Sequence, residues 1–198
     1  MVSCGLMAIA LAGCSASPPR KLDDACAIFY EKDDWYEEAR EAQKRWGVPI
    51  SLQLAFIRQE SSFRSDARPP RRWYLGFIPG PRPSRAFGYA QALDSTWAEY
   101  QRETGKRWAD RDDFGDAVDF IGWYNARSSR ACGIGRTDAY RLYLAYHEGP
   151  TGYRRGSHRK KGWLLTTAQK VSARAARYDS QLRTCEKKLQ DQDGFWFF

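Results

Sequence analysis

The sequence predicts an all-α fold, and three observations lead to this prediction. Several segments repeat apolar residues with the 3.6-residue period of a helix, capping residues stand at most of their ends, and no long stretch alternates as a strand does. The 198-residue chain also lacks internal repeats and long low-complexity stretches. We therefore expect one helical domain.

The first three helices are predicted from the residues at their ends. One begins near Cys26. The next begins after an aspartate at position 33 or 34, whose side chain can cap it, and ends at Gly47. A third follows Pro49, which suits a first helical turn, and runs to Glu60.

Four further helices are predicted in the rest of the chain. Each combines an apolar period with a polar cap at its start or a glycine at its end. Their expected ranges are 94–105, 113–129, 137–146 and 163–189.

Glu60 is the most informative residue of the sequence. Leu52, Phe56 and Glu60 are spaced at i, i+4 and i+8, so a carboxylate shares a helix face with core residues. Burial and the unpaired carbonyls of a helix C-terminus would both raise its pKa. A carboxyl group kept protonated near neutral pH can serve as a general acid. The alternative is a helix-end glutamate that caps or pairs with Arg58 or Arg64.

Three fragments in order carry a resemblance to a known family. They are Glu60-Ser61-Ser62-Phe63, Gly88-Tyr89-Ala90-Gln91 and Ala145-Tyr146-His147-Glu148-Gly149. They resemble the E-S-x-F, G-L-M-Q and A-Y-N-A-G signatures of soluble-type lytic transglycosylases, over roughly residues 46 to 180. The resemblance implies a lysozyme-like single catalytic domain with a substrate cleft, and peptidoglycan glycan strands as the partner.

The resemblance also implies a mechanism with one carboxyl group. Glu60 would protonate the glycosidic oxygen between N-acetylmuramic acid and N-acetylglucosamine. It would then deprotonate the C6 hydroxyl of the N-acetylmuramic acid, giving a 1,6-anhydromuramoyl end. Tyr146 matches the tyrosine that hydrogen-bonds the acid, and Gln91 with the Gly88-Tyr89 backbone matches the wall that holds the sugar. The alternatives are that Tyr146 is a core residue and that Gln91 only satisfies loop backbone.

Other residues are assigned to the substrate side with open alternatives. Ser61 is placed there, although its hydroxyl more readily caps the helix or bonds backbone near the acid. Tyr153, in the fragment Gly152-Tyr153, is placed there as well. Glu148 replaces the usual alanine and could raise the pKa of Glu60 or activate water.

Two other functions compete with the transglycosylase. If Glu148 activates water, the enzyme would be a muramidase, that is, a hydrolase. The other competitor is a catalytically inactive peptidoglycan-binding lipoprotein. The departures from the family signatures at positions 89–90 and 147–148 favour it. A carboxyl group on an apolar helix face argues against it, because a binding module gains nothing from that burial.

The long segment 64–87 joins two of the signature fragments. Its five prolines exclude a regular helix. Trp73, Tyr74 and Phe77 offer flat apolar faces on which sugar rings can pack, and we expect Trp73 and Phe77 to bind substrate. The alternative is a covering loop whose aromatic residues pack on the core.

The chain ends indicate export. Residues 1–13 are an uncharged apolar run followed by Cys14, which resembles the lipobox of a bacterial lipoprotein signal peptide. We expect lipidation of Cys14, a linker over 14–24, the catalytic domain over 25–190 and an aromatic tail over 191–198. Ser15 resembles the residue that directs such proteins to the outer membrane, so we expect a lipid-anchored periplasmic protein with the membrane as a second partner.

Cysteine usage predicts one disulfide. Removing Cys4 with the signal peptide and acylating Cys14 leaves three cysteines in an oxidising compartment. We expect Cys26 to pair with Cys185, which joins the two ends of the domain, and Cys132 to remain a free thiol. No cysteine and histidine cluster has the spacing of metal ligands, so no metal and no cofactor are expected.

The formal net charge of +8 limits the possible partners. No nucleic-acid-binding motif accompanies the basic residues, and an exported protein is not expected to meet nucleic acid. Attraction to an anionic cell-wall polymer or membrane surface agrees with the export signal. A solvated basic surface is the alternative.

Overall fold

The computed structural model describes residues 17–71, 73–75 and 78–193. Over these ranges the chain forms seven α-helices, a 3₁₀ turn and one hairpin of two-residue strands, so the prediction of an all-α fold is confirmed. The elements are α1 (Ala25–Glu31), α2 (Trp35–Trp46), α3 (Ile50–Glu60), β1 (Trp73–Tyr74), β2 (Ile78–Pro79), α4 (Asp94–Thr104), α5 (Phe114–Cys132), α6 (Ala139–Arg154), the 3₁₀ turn (Ser157–Lys160) and α7 (Gly162–Asp193).

The helix ends follow the capping residues that the sequence shows. Gly47 and Gly105 end α2 and α4 in the left-handed conformation. Asp113 and Asp138 cap α5 and α6, since their carboxylates accept hydrogen bonds from the backbone N–H groups three residues on. Asp34 precedes α2 without such a side-chain bond. Helices α5 and α7 extend past their predicted ends, and α6 continues beyond a kink at Gly149, where the backbone angles are not helical.

Helix α3 lies at the centre of the domain. Every residue from Ile50 to Ile57 is buried, against α2, α5 and α7. This burial on all sides differs from the single inward face that the spacing of Leu52, Phe56 and Glu60 predicts. The reason is that helices cover α3 from several directions, so only its C-terminal end reaches the surface.

A disulfide bond joins α1 to α7. It pairs Cys26 with Cys185, as predicted, and the two sulfur atoms are 2.03 Å apart. Cys132 is the free cysteine of the described residues. Because α7 packs against α1, α3 and α6, the bond connects the start of the domain to the helix that spans it.

Several predictions fall outside the described ranges. The signal peptide, Cys14 and the last five residues of the aromatic tail lie there. In the part of the chain that is described, no helix has the length and apolar character needed to cross a membrane. Nor does that part bring together three acidic, histidine or cysteine side chains in a group able to hold a metal ion.

Candidate active site

Glu60 is the last residue of α3, and a strained turn follows it. Ser61 caps the helix: its backbone N–H and its hydroxyl both donate to the carbonyl of Ile57, at 3.0 and 3.1 Å. Ser62 and Phe63 then take positive φ angles of 54° and 60°, which L-residues adopt rarely. Phe63 is fully buried and stacks on Trp35, so core packing holds the turn and fixes where Glu60 stands.

The carboxyl group of Glu60 accepts a hydrogen bond from a tyrosine and has a raised pKa. The Tyr143 hydroxyl donates to Oε1 at 2.8 Å. The residue keeps some surface, while its carboxyl group is enclosed by protein, and the enclosure determines its pKa. Burial raises that pKa to about 7, and the Tyr143 bond opposes the shift. Both protonation states of Glu60 are therefore populated near neutral pH.

Within the described ranges Glu60 forms no ion pair with a basic residue, so the predicted alternative of a pair with Arg58 or Arg64 is wrong. The Arg58 guanidinium instead reaches the Asp23 carboxylate at 3.3 Å and donates to the Ser62 hydroxyl at 2.9 Å. An ion pair would favour the charged carboxylate and lower its pKa. Its absence leaves burial as the dominant influence on Glu60.

The tyrosine that bonds the acid is Tyr143 rather than Tyr146, which corrects the role assigned from the motif. Tyr146 donates its hydroxyl to the Ala90 carbonyl at 2.6 Å. Both rings pack edge-on against Phe56, at centroid distances of 5.3 and 5.2 Å. Residues three apart share a helix face, and only the packing of α6 on α3 decides which hydroxyl reaches Glu60.

The Gly88–Gln91 fragment is a turn fastened to its own backbone. The Gln91 amide donates to the carbonyls of Ala67 and Gly88, at 2.8 and 2.9 Å, so it satisfies loop backbone, as the alternative reading held. Gly88 has a φ of 77°, and a Cβ atom there would lie 1.9 Å from the Arg111 carbonyl oxygen. The backbone approach at this turn therefore requires glycine.

Two residues assigned to the substrate belong to the interior. The Tyr89 side chain is 1% exposed and packs edge-on against Trp35 and Phe114, so it is a core residue. Ser61 is 6% exposed and its hydroxyl bonds the helix backbone. For Ser61 this confirms the alternative that its hydroxyl bonds helix backbone near Glu60. For Tyr89 it shows that the side chain is a core residue, while the role expected of this position concerned its backbone.

A pocket of about 310 Å³ opens next to Tyr146. Its wall is formed by Gln91, the start of α4, one face of α5 and residues 146–149 of α6. Glu60 does not line it. Tyr146 links the two, because it lines the pocket and because burial and the charge of Glu60 both raise its pKa. The chemistry of the acid, rather than the pocket's volume, identifies the candidate site.

Glu148 lines this pocket but is held as an anion. Its side chain is 4% exposed, and it accepts hydrogen bonds from Lys161 at 2.6 Å and from Ser157, with His147 at 3.0 Å. Burial alone would raise its pKa, but these partners lower it to about 2. Glu148 is not among the causes of the Glu60 shift. The expectation that it raises the pKa of the acid is therefore wrong.

The remaining predicted contacts lie elsewhere or outside the described side chains. Tyr153 follows the α6 kink at Gly149 and stacks on His158 with ring centroids 4.9 Å apart, away from the pocket wall. Trp73 lies in β1, where only its backbone is described, and Phe77 is outside the described residues. Tyr74, between them, is exposed.

Sequence reasoning missed two residues of the site. Tyr143 stands three positions before the motif tyrosine, and that spacing was the available signal. Lys161 lies 13 residues from Glu148, and no local pattern joins them.

The comparisons with known proteins agree with this geometry. A family model described as "Transglycosylase SLT domain" matches residues 2–185. No curated protein matches the chain. Since the family match extends over nearly the whole sequence and over all but the last turns of α7, the chain belongs to the transglycosylase SLT domain family.

Proposed function

We propose that the chain is a lytic transglycosylase that cleaves the β-1,4 bond between N-acetylmuramic acid and N-acetylglucosamine, with Glu60 as its single acid and base. Membership of the family supports activity on peptidoglycan in general. The observation that carries the finer proposal is an enclosed carboxyl group with a pKa of about 7 and a tyrosine hydroxyl on one oxygen.

The two steps follow from this arrangement. Because Tyr143 donates to Oε1, the proton of the neutral acid is expected on Oε2, which passes it to the glycosidic oxygen as that bond breaks. The resulting carboxylate, stabilised by Tyr143, then takes the proton of the C6 hydroxyl. The C6 oxygen bonds to C1 and gives the 1,6-anhydro product without water. Glu60 leaves the cycle protonated, as it entered.

The state of Glu148 argues against the muramidase. A general base works best when its pKa lies near the working pH. Glu148, with a pKa of about 2 and an ion pair to Lys161, is a weak base. The raised pKa of Glu60 likewise argues against an inactive binding protein, since burying an acid without using it only costs stability.

The test is to replace Glu60 by Gln and digest purified sacculi. We expect the Glu60→Gln variant to lose muropeptide release by about 10² to 10⁴, because glutamine keeps the shape but has no proton to transfer. Mass spectrometry of the wild-type digest should show anhydro ends. The matched variant, Glu148→Ala, should be slowed modestly and still give anhydro ends.

Two outcomes would contradict the proposal. Reducing ends in the wild-type digest, abolished by Glu148→Ala, would identify a hydrolase. If the Glu60→Gln variant releases muropeptides at a rate within a few-fold of wild type, another residue must be the general acid. Thermal unfolding of each variant separates loss of chemistry from loss of fold.

A further inference from the structure

The positive charge of the chain is concentrated in one segment. The 30 residues between Glu148 and Asp179 contain eight lysines and arginines and no acidic residue. Eight is also the net charge of the whole chain, so the remainder carries equal numbers of both signs. The excess positive charge therefore lies in this segment and is not spread evenly along the chain.

Five of these cations lie in residues 154–161, which we call the basic turn. It comprises the end of α6, the 3₁₀ turn and Lys161. Ser157 donates to the Gly152 carbonyl at 2.9 Å and also to Glu148, and Lys161 pairs with Glu148. A Cβ atom on Gly152 would lie 3.1 Å from the Ser157 hydroxyl, so the turn packs closely on α6.

The basic turn is fastened directly to the pocket. Glu148 and His147 line the pocket, and Glu148 is the anchor of the turn. The ring of His147 meets that of Trp163 edge-on at 5.0 Å, and Trp163 is 58% exposed. An aromatic face and a row of cations thus adjoin the same end of the pocket.

Four cations of the basic turn have no acidic partner in the part of the chain that the structure describes. Arg154, Arg155, Arg159 and Lys160 are exposed, and none forms an ion pair with a carboxylate of the described residues. Lys161 is the member that is neutralised within the protein. Unpaired arginines favour ligands with carboxylates, which accept two parallel hydrogen bonds from a guanidinium.

We propose that the basic turn binds the carboxylate groups of the peptides attached to the glycan strand, at the His147 end of the pocket. This rests on the proposed function, because it takes a peptidoglycan strand in the pocket as the starting point. A peptide carried by a sugar in the pocket remains covalently close to residues 147 and 148, and hence to the turn that Glu148 holds. Charge complementarity then favours strands that keep their peptides over strands stripped of them.

The test measures binding without turnover. In the Glu60→Gln background, Kd is measured for fluorescently labelled glycan strands of equal length, with peptides and with the peptides removed by an amidase. The test variant replaces Arg154, Arg155, Arg159 and Lys160 by Gln. Its affinity for peptide-bearing strands is expected to fall about tenfold, and the preference for them over bare strands should disappear. High salt should reduce the preference of the parent protein.

A matched control removes the same charge elsewhere. Lys21, Arg102, Arg107 and Lys187 are also exposed and form no ion pair within the described part of the chain. Their replacement by Gln should preserve the preference for peptide-bearing strands. If the fourfold test variant unfolds at a lower temperature, the pair Arg154→Gln and Arg159→Gln is used instead.

Four results would overturn the inference. The first is an equal loss of strand affinity in the test and control variants. The second and third are a loss of affinity that is equal for peptide-bearing and bare strands, and no loss for either. The fourth is a test variant that no longer binds phosphatidylglycerol vesicles while its affinity for strands is unchanged. The last would assign the turn to a lipid surface. None depends on catalysis, so a wild-type protein that forms no anhydro ends would refute the proposed function while the peptide preference is still measured.

Discussion

At the residue scale, the pKa of Glu60 is set by two opposing influences. Enclosure by protein raises it, and the hydrogen bond from Tyr143 lowers it. The same bond, with burial as the larger cause, raises the pKa of Tyr143, so the hydroxyl remains a donor at any working pH. The pair therefore holds the acid in one orientation while leaving it able to exchange its proton.

Replacing Tyr143 by Phe should shift the pH profile of the reaction. The variant loses the bond that lowers the pKa of Glu60, so that pKa rises above about 7. Because the reaction starts from the protonated acid, the fall of kcat/KM on the alkaline side should move to higher pH, with a lower maximum rate. The measurement is kcat/KM against pH on soluble glycan strands.

The control for this prediction is Tyr146→Phe. That hydroxyl bonds the Ala90 carbonyl, so its loss should reduce the rate or the stability without moving the alkaline limb. A limb that moves with Tyr146→Phe and stays in place with Tyr143→Phe would restore the role that the motif assigned to Tyr146.

The raised pKa of Glu60 also predicts a pH-dependent stability. Between the ordinary value of 4.5 and about 7, the folded state binds more protons than the unfolded state. The contribution of protonated Glu60 to the stability of the folded state is therefore complete below pH 4.5 and is lost as the pH rises through 7. Relative to Glu60→Gln, the wild type should lose up to about 3 kcal/mol between pH 4 and pH 8.

Urea unfolding of both proteins across this pH range measures the effect. Glu38, whose pKa burial and nearby aspartates also raise to about 7, is present in both and cancels in the difference. If the free energy of unfolding changes with pH equally in the two proteins, Glu60 has an ordinary pKa in the folded state.

At the element scale, two segments that line the pocket each depend on a glycine with a positive φ angle. The turn at Gly88 meets the Arg111 backbone, and the kink at Gly149 has φ 70° and ψ 157°, in a region essentially restricted to glycine. Pro150 follows and disfavours helical geometry at the preceding residue. Residues 147–149 line the pocket at this kink, and α6 continues beyond it to the basic turn.

Replacing Gly88 by Ala should be far more costly than replacing Gly105 by Ala. Their φ angles are 77° and 76°, so both alanines would be strained equally by the backbone. At Gly88 the new Cβ would also lie 1.9 Å from a carbonyl oxygen, while nothing lies within 4 Å at Gly105. We expect a loss of about 1 kcal/mol at Gly105 and about 3 kcal/mol or more at Gly88.

Chemical denaturation of the two variants provides the measurement, and activity provides a second one. The Gly88 change should also impair glycan cleavage, because Gln91 is held by the Gly88 carbonyl. Similar stability losses for both variants would show that the turn can relax away from Arg111.

At the scale of the whole molecule, the disulfide joins segments far apart in the chain. Cys26 and Cys185 are 159 residues apart, and closing so long a loop in the unfolded state corresponds to about 5 kcal/mol in the chain-entropy model, an upper estimate. The bond ties α1 to α7, which also packs on the helix that carries Glu60.

Replacing Cys26 and Cys185 together by Ser should lower the free energy of unfolding by about 2 to 5 kcal/mol, measured by denaturant titration of protein made in an oxidising compartment. Cys132→Ser is the control and should change stability little, since Cys132 is a free cysteine among the residues that the structure describes. A larger effect of Cys132→Ser would indicate that a different pair forms in solution.

The sequence by itself determined most of the helix ends, the buried carboxyl group at Glu60 and the disulfide. Glycines 47 and 105 and aspartates 113 and 138 mark helix ends through local hydrogen bonds and backbone conformation, which need no tertiary information. Glu60 was identified because a carboxyl group breaks an apolar pattern. The pairing of Cys26 with Cys185 followed from the small number of remaining cysteines and from the positions of these two near the ends of the domain.

Only the tertiary structure decided which side chains meet the acid and which are core. Tyr143 and Tyr146 differ by about 60° around α6, and the way α6 packs on α3 places the first at Glu60 and the second at Ala90. Tyr89 belongs to a fragment whose backbone the motif assigned to the cleft wall, yet its ring packs in the core against Trp35 and Phe114. Such contacts join residues tens of positions apart, and their geometry depends on the packing of whole helices, which a local pattern does not contain.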